Sequence, residues 1–398
     1  MKPLKVLIAG AGPGGLAAAV ALLDRGFDVE VYEQAPELRE VGAGVQIAAN
    51  GSRVLLALGL QEALERVAAY PTGKEVRLWD TGQSWPLFDL GASSVQRYGA
   101  PYLMLHRADL HDALAAAVRA RKPDAIHLGA RAVGFEQSDA GARLRLADGR
   151  SADGDVLIGA DGLHSQIRQQ LFGAAKPRFT GGIAWRGVIP MDKLPTHLQL
   201  RSGVNWIGPK GHIINYPLRR GELLNFVGHI ERSDWQVESW TERGTTDECL
   251  ADFEGWSEDV RTIIAHIEEP FKWALFLREP LQRWSEGRVS LLGDACHATL
   301  PYLAQGVNMA LEDGLVLARC LEAERDDPVR GLQRYEAARI GRTSEIVNRS
   351  ADMLTRFHNP QLADPATAAH YVENEWRASK VDERYDWLFR YDATRVEI

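Results

Sequence analysis

The stretch Val6-Leu7-Ile8-Ala9-Gly10-Ala11-Gly12-Pro13-Gly14-Gly15-Leu16 decides the fold. Val6 to Ala9 is a short apolar run, as in a strand covered on both faces of a parallel sheet. Gly10 to Gly15 matches GxGxxG, and the Ala/Leu-rich run from Leu16 to Leu23 favours a helix. Phe27 to Tyr32 alternates like a second strand, and Glu33 ends it. The glycines have separate uses in such a βαβ unit. Gly10 permits the tight turn, Gly12 lets the backbone approach a pyrophosphate, and Gly15 lets the helix pack closely on the strand. The phosphates would lie at the positive helix N-terminus, and Glu33 would accept from ribose hydroxyls. The motif alone does not separate FAD from NAD, although Glu33 disfavours a ribose 2′-phosphate.

The same stretch has a second reading. Val6 to Leu23 carries no charge and follows Lys2 and Lys5, like a signal peptide or a short membrane span. Gly10, Gly12, Pro13, Gly14 and Gly15 interrupt what should be a continuous targeting helix, and Asp24 and Arg25 follow without a small-residue cleavage site. Strand, turn and helix is the better account.

The chain has 398 residues, enough for two or three domains at about 150 residues each. Its apolar and charged fractions are those of a globular protein with a large core. A formal charge of −8 argues against a general nucleic-acid binder. Cys249, Cys296 and Cys320 are odd in number and far apart, without a CxxC pair or Cys/His cluster. Neither a zinc site nor a disulfide framework is expected, and a reducing cytoplasm fits. No other apolar run approaches membrane length.

Two further motifs end buried strands. Asp155 to Ile158 runs into Gly159-Ala160-Asp161-Gly162, followed by a helix-prone segment. Val289 to Leu292 runs into Gly293-Asp294, then His297, Pro301, Gly306 and Asn308, with a helix from Met309 to Glu322. The free amides where that helix opens, near Asn308, suit an anion or an electron-rich ring edge, and Asp294 is placed to accept from sugar-like hydroxyls. Taken singly, each motif could be a polar turn without a ligand.

Together the three motifs, in this order and at these distances, resemble the single-component FAD-dependent aromatic hydroxylases, the flavoprotein monooxygenases typified by p-hydroxybenzoate hydroxylase. The resemblance covers nearly the whole chain. It implies an α/β protein with a Rossmann-like FAD domain, a β-sheet substrate domain and C-terminal helices. It implies that Glu33 binds the adenosine ribose, Asp294 the ribityl chain, and the Pro301 to Asn308 loop, with Gly306, the flavin ring. Arg39 and Arg107 would support the flavin and pyrophosphate, and Asp161 serves both FAD and NAD(P)H in the family. NADH or NADPH would reduce FAD, dioxygen would add at the flavin C(4a) position, and the resulting hydroperoxide would attack an electron-rich ring. Dimers are usual among such proteins.

The three motifs must meet on one cofactor, so the FAD domain is expected to be discontinuous: 1–72, 99–175 and 278–355. Residues 73–98 and 176–277 would form the substrate domain, and 356–398 a C-terminal helical segment. Short strands near 181–188, 204–207, 211–216 and 223–229 suggest an antiparallel sheet flooring the substrate pocket. Thr245 to Glu248 can supply a capping box, with Leu250, Phe253, Trp256, Val260 and Ile263 following as a core stripe.

On a strand, His212 and Tyr216 face one side, and a histidine suits the removal of a phenol proton near neutral pH. The pair resembles that of bacterial hydroxylases of salicylate, 3-hydroxybenzoate and 6-hydroxynicotinate. Pro301 joins them as a candidate in the chemistry. His297 reads as structural. Tyr102 and Tyr302 are candidate pocket walls, and Arg186 a candidate carboxylate ligand. The loop His297 to Gln305 resembles that of salicylate 1-hydroxylases, which implies salicylate and dioxygen as substrates and catechol as product. 3-Hydroxybenzoate 6-hydroxylation and 6-hydroxynicotinate 3-hydroxylation are the alternatives, and an FAD-dependent reductase without oxygen insertion is the alternative class.

Overall fold

The computed structural model describes residues 3–38, 43–174, 177–235, 237 and 242–398. Arg39 lies outside them.

A six-stranded sheet has the order β17 (Ser285–Glu286), β18 (Val289–Leu291), β11 (Val156–Gly159), β1 (Lys5–Ala9), β2 (Asp28–Tyr32) and β7 (Ile126–His127). From β18 to β7 every pairing is parallel, and β17 is antiparallel to β18. The middle strands are apolar throughout because helices cover them. Helix Pro13–Leu23 packs between this sheet and helix Gly306–Ala323, where a Cβ at Gly314 would stand 2.7 Å from the Ala18 nitrogen. That approach explains why small residues fill Ala17 to Ala19.

A second sheet, of seven strands, has the order β16 (Phe271–Leu277), β12 (Arg178–Pro190), β15 (Leu223–Glu231), β14 (Gly211–Leu218), β13 (Gly203–Gly208), β4 (Gly73–Leu78) and β5 (Ser84–Asp89). The four strands expected to be antiparallel, β12 to β15, are so, and the sheet as a whole is mixed because β4 runs parallel to β13. The β4–β5 hairpin comes from early in the chain and extends a sheet otherwise built from later strands. Period-2 alternation gives the sheet two different faces. Trp185, Trp206, Ile213 and Phe226 pack on one side under helices Thr246–Asp252 and Glu258–Ala265. Ala184, Ile207, Tyr216 and Leu218 face Leu300, Tyr302 and Leu303 and the C-terminal helices on the other.

The expected helical stripe from Leu250 to Ile263 is split in two. Gly255 adopts φ +81°, and Ser257 accepts from the Val260 amide to start the second helix. Phe253, Trp256, Val260 and Ile263 are still core. The Thr245–Glu248 capping box forms in full.

A three-stranded antiparallel sheet, β8 (Ala132–Ser138), β9 (Gly141–Leu146) and β10 (Ser151–Gly154), flanks the first sheet. The pair β3 (Gly44–Ile47) and β6 (Leu103–His106) bridges towards β14. Helix Pro328–Phe357 begins against helix Gly306–Ala323 and ends beside the second sheet. The three cysteines are buried and unpaired. Among the described residues no helix is long and apolar enough to cross a membrane, and no metal-ligating cluster occurs.

Candidate active site

The loops after β1, β11 and β18 emerge side by side, because Ala9 pairs with Gly159 and Gly159 with Leu291. Gly10, Asp161 and Asp294 therefore meet at the carboxyl edge of one parallel sheet, where such folds bind nucleotides. The glycines divide their work as their spacing implies. Gly10, at φ +107°, could not carry a Cβ without striking the Ala160 carbonyl, and a Cβ at Gly15 would strike the Gly10 carbonyl. Nothing lies within 4 Å of a Cβ built at Gly12, which begins helix Pro13–Leu23 in extended conformation. That space, beside free helix-terminal amides, fits a pyrophosphate.

Glu33 accepts from the Ala11 amide at 2.8 Å and the Ala35 amide at 2.9 Å, which holds its carboxylate beside the glycine turn. Asp294 is exposed, at the start of Asp294–His297, where it can take a polyol chain. Asp161 is turned towards the protein. It accepts from Ser165 Oγ at 2.5 Å and from the Gln166 and Ile167 amides, capping helix Gln166–Phe172. Burial raises its pKa against those hydrogen bonds. Arg107 opens helix Arg107–Arg121 beside β3, and its amide donates to the Ala43 carbonyl at 2.9 Å.

The loop from Gly293 to Gly306 is clamped from beneath. Asp313 accepts from the Gly293 amide at 3.2 Å and lies 2.5 Å from His297 Nε2. Arg339 bridges Asp313 and Glu312 at 2.7 Å each. Glu312 also accepts from Arg342 and from Asn50, which donates in turn to Gln305. His297 is thus structural, as its place in the motif implied. Asn308 is too: its side chain accepts from the Ala48 amide and donates to the Gln46 and Ala304 carbonyls, so it positions the loop instead of facing a ligand. Pro301 is exposed and starts a single 3-10 turn closed by Ala304 at φ +53°. It offers no acid or base, only a rigid wall. Gly306 begins the following helix.

The second sheet brings His212 and Tyr216 to one face. His212 is wholly buried, stacked 4.4 Å from His229 and 4.6 Å from Phe357, with Tyr302 edge-on at 5.2 Å. Its Nδ1 lies 2.7 Å from His358 Nε2, and its Nε2 has no partner. Burial, with His229 and His358 nearby, holds its pKa well below the ordinary value, so it is a neutral imidazole. Burial pushes the Tyr216 hydroxyl up, with Arg107 opposing the shift. Arg186 does not face open space: it lies over the Phe271 and Trp273 rings, 5.7 and 5.1 Å from their centroids.

Lys74 was not among the site residues expected from the sequence. It lies on this same face, 9% exposed, and donates to Tyr102 Oη at 3.1 Å. Tyr102 donates onward to Gln46 Oε1 at 2.8 Å. Among the described residues no carboxylate lies within ion-pair distance of Lys74, and burial drives its pKa down to about 7. The alternation of Gly73–Leu78, with Lys74 in phase with Val76 and Leu78, was the available clue. His358 and Glu231 were also missed. They lie far from His212 in sequence, and no local pattern links them.

Residues 3–350 match the FAD-binding domain family, and the chain belongs to it. It is 38% identical over 392 residues to a 3-amino-4-hydroxybenzoate 2-monooxygenase of Streptomyces platensis, covering 98% of this chain and 97% of that protein. It is 35% identical to a 3-hydroxybenzoate 6-hydroxylase of Polaromonas naphthalenivorans, covering 98% and 96%. A salicylate hydroxylase solved with its substrate superposes with a TM-score of 0.81 at 26% identity, covering 99% of this chain and 97% of that one. The protein is an FAD-dependent aromatic hydroxylase that uses NAD(P)H as co-substrate.

Proposed function

We propose that the substrate is a monocyclic aromatic acid with a phenolic hydroxyl and, across the ring, a carboxylate, with 3-amino-4-hydroxybenzoate the first candidate. The observation that carries this is Lys74, hydrogen-bonded to Tyr102 but without a counter-ion among the described residues, on the same sheet face as the neutral base His212. Burial without a counter-ion disfavours the ammonium form of Lys74, and a substrate carboxylate would restore it. Lys74 pairs with Gly203, and one further step of the β13–β14 ladder sets Gly203 opposite Tyr216. His212 lies four residues along β14 from Tyr216, two strands from β4. At about 4.8 Å between strands and 3.3 Å per residue, the Cα atoms of Lys74 and His212 stand roughly 16 Å apart. That span suits a ring held at opposite ends. In salicylate the two groups are neighbours, which counts against the substrate implied by the loop sequence.

Bound FAD supplies the activated oxygen. The chain's own part is to hold the ring by its carboxylate at Lys74, to accept the phenol proton at His212 Nε2, and to exclude water with Tyr216, Tyr302 and the loop opened by Pro301. Ionising the phenol makes the ring electron-rich. Glu33, Asp294, Arg107 and the glycine turn hold the cofactor in this reading, with Asp161, Gly306 and Asn308 shaping its loops.

The test is NAD(P)H oxidation with product chromatography on 3-amino-4-hydroxybenzoate, 4-hydroxybenzoate, 3-hydroxybenzoate, salicylate, 6-hydroxynicotinate and 2-aminophenol. Coupled hydroxylation should be fastest with the first. Lys74→Met should raise its KM about ten- to hundred-fold, the worth of a hydrogen bond to a charged group, and leave 2-aminophenol turnover unchanged. Catechol formed from salicylate alone, or an unaltered KM in the variant, would sink this reading.

A further inference from the structure

We propose that His212, His358 and Glu231 form a relay that carries the phenol proton from the buried ring to solvent. The inference rests on the phenolic substrate proposed above. His212 is 0% exposed and cannot hand a proton to water directly. Its Nδ1 is 2.7 Å from His358 Nε2, and His358 Nδ1 is 3.0 Å from Glu231 Oε1. The Glu231 side chain is 45% exposed. Glu231 and His358 line a cavity of about 300 Å³ that His229 and Tyr302 also border. The three groups come from β14, β15 and the residue following helix Pro328–Phe357, so only the folded chain joins them.

The charge at the outer end sets every proton along the line. Glu231 is held ionised, below the usual carboxylate range, chiefly by its hydrogen bond from His358. An ionised carboxylate only accepts, so His358 Nδ1 carries hydrogen, and in the neutral imidazole that the relay uses Nε2 is then bare. His358 Nε2 then accepts, so His212 Nδ1 carries hydrogen. His212 Nε2 is left with its lone pair, and this is the atom without a partner. The carboxylate therefore makes the inner nitrogen a base without charging it.

The phenol O–H breaks and N–H forms at His212 Nε2. The His212 Nδ1–H breaks and N–H forms at His358 Nε2. The His358 Nδ1–H breaks and O–H forms at Glu231, which releases the proton to water. Each imidazole ends neutral, which matters because a cation at the buried His212 would be strongly disfavoured. Reverse passage resets both tautomers. The other titratable groups facing the line are His229 and Tyr302 against His212, and Lys210 acting on Glu231. Burial holds His229 down at about 3, so it stays neutral across the working range.

The test is stopped-flow proton release, read with a pH indicator in weak buffer, when oxidised holoenzyme meets 3-amino-4-hydroxybenzoate or any panel phenol that it binds. Wild type should release a proton on binding. His358→Ala and Glu231→Gln should slow release at neutral pH about a hundred-fold, with ligand affinity retained. Imidazole added to His358→Ala should restore the rate through the adjoining cavity, which a merely structural loss would not allow. Release at the wild-type rate in both variants overturns the relay and leaves the substrate reading standing. No release by wild type with any bound phenol overturns both. A slow His358→Ala that imidazole does not rescue, with His358→Gln equally slow and its affinity lost, assigns His358 to packing and overturns the relay.

Discussion

Gly12 and Gly15 share a motif, yet they should fail differently. Gly15 has no room for a Cβ, because the Gly10 carbonyl occupies that space, whereas at Gly12 the space is open. Gly15→Ala should lower the melting temperature and FAD content together. Gly12→Ala should fold with a melting temperature near wild type when both are stripped of FAD, and bind FAD more weakly because the methyl occupies the phosphate cradle. Calorimetry of the apoproteins and a flavin titration separate the two; equal loss of apoprotein stability would refute the distinction. Spacing alone led to both glycines and to Glu33. It did not reveal that Asn308 spends every side-chain hydrogen bond on backbone, since a polar residue at a helix start looks the same whether it faces a ligand or the protein.

Among elements, helix Thr246–Asp252 depends on its cap. Thr245 Oγ1 accepts from the Glu248 amide at 3.1 Å, and Glu248 accepts in return from the Thr245 amide at 2.9 Å. The helix is short and lies on the sheet face away from the site. Thr245→Ala should cost about 1 kcal/mol, read by urea unfolding, with kcat and KM unchanged. The cap was legible because its two residues, Thr245 and Glu248, lie only three positions apart. Four strands of the second sheet, β12 to β15, were legible for the same reason, as short local runs, whereas β4, β5 and β16 were not read. The pairing of β4 with β13 was not, because pairing between strands so distant in sequence is settled by the whole fold. That pairing is what brings Lys74 onto the face of His212 and Tyr216, so the residue on which the proposed carboxylate contact rests was hidden with it.

In the whole molecule, the buried Arg339, Glu312, Asp313 and His297, with the partly exposed Arg342, join two long helices to the loop from Gly293 to Gly306. Burial alone would raise both carboxyls, but Arg342 and Arg339 hold Glu312 below its ordinary value, and His297 and Arg339 do the same for Asp313. Depressed carboxyls give stability that is complete above the unfolded value, about 4, and is lost as pH falls through the lower folded values. Arg339→Met should cost about 3–5 kcal/mol near pH 7, the penalty for orphaning a buried partner. The gap from wild type should narrow as pH approaches about 3. Urea unfolding across pH would show this, and a gap independent of pH would contradict it. The sequence marks Glu312-Asp313 only as two acids in an apolar run; their partners sit on another helix.

That other helix, Pro328–Phe357, holds the cofactor loop with Arg339 and leads straight into His358. It is a rod of 30 residues, about 45 Å long, and a continuous helix turns about 100° per residue. The distance and the angle between the floor of the cofactor loop and the outer imidazole are therefore set by residue count. Evolution can exchange side chains along its exposed flank freely, but gaining or losing one residue between Arg339 and His358 would swing the imidazole off His212. Relatives that keep this proton path should vary in the helix by substitution and not by length.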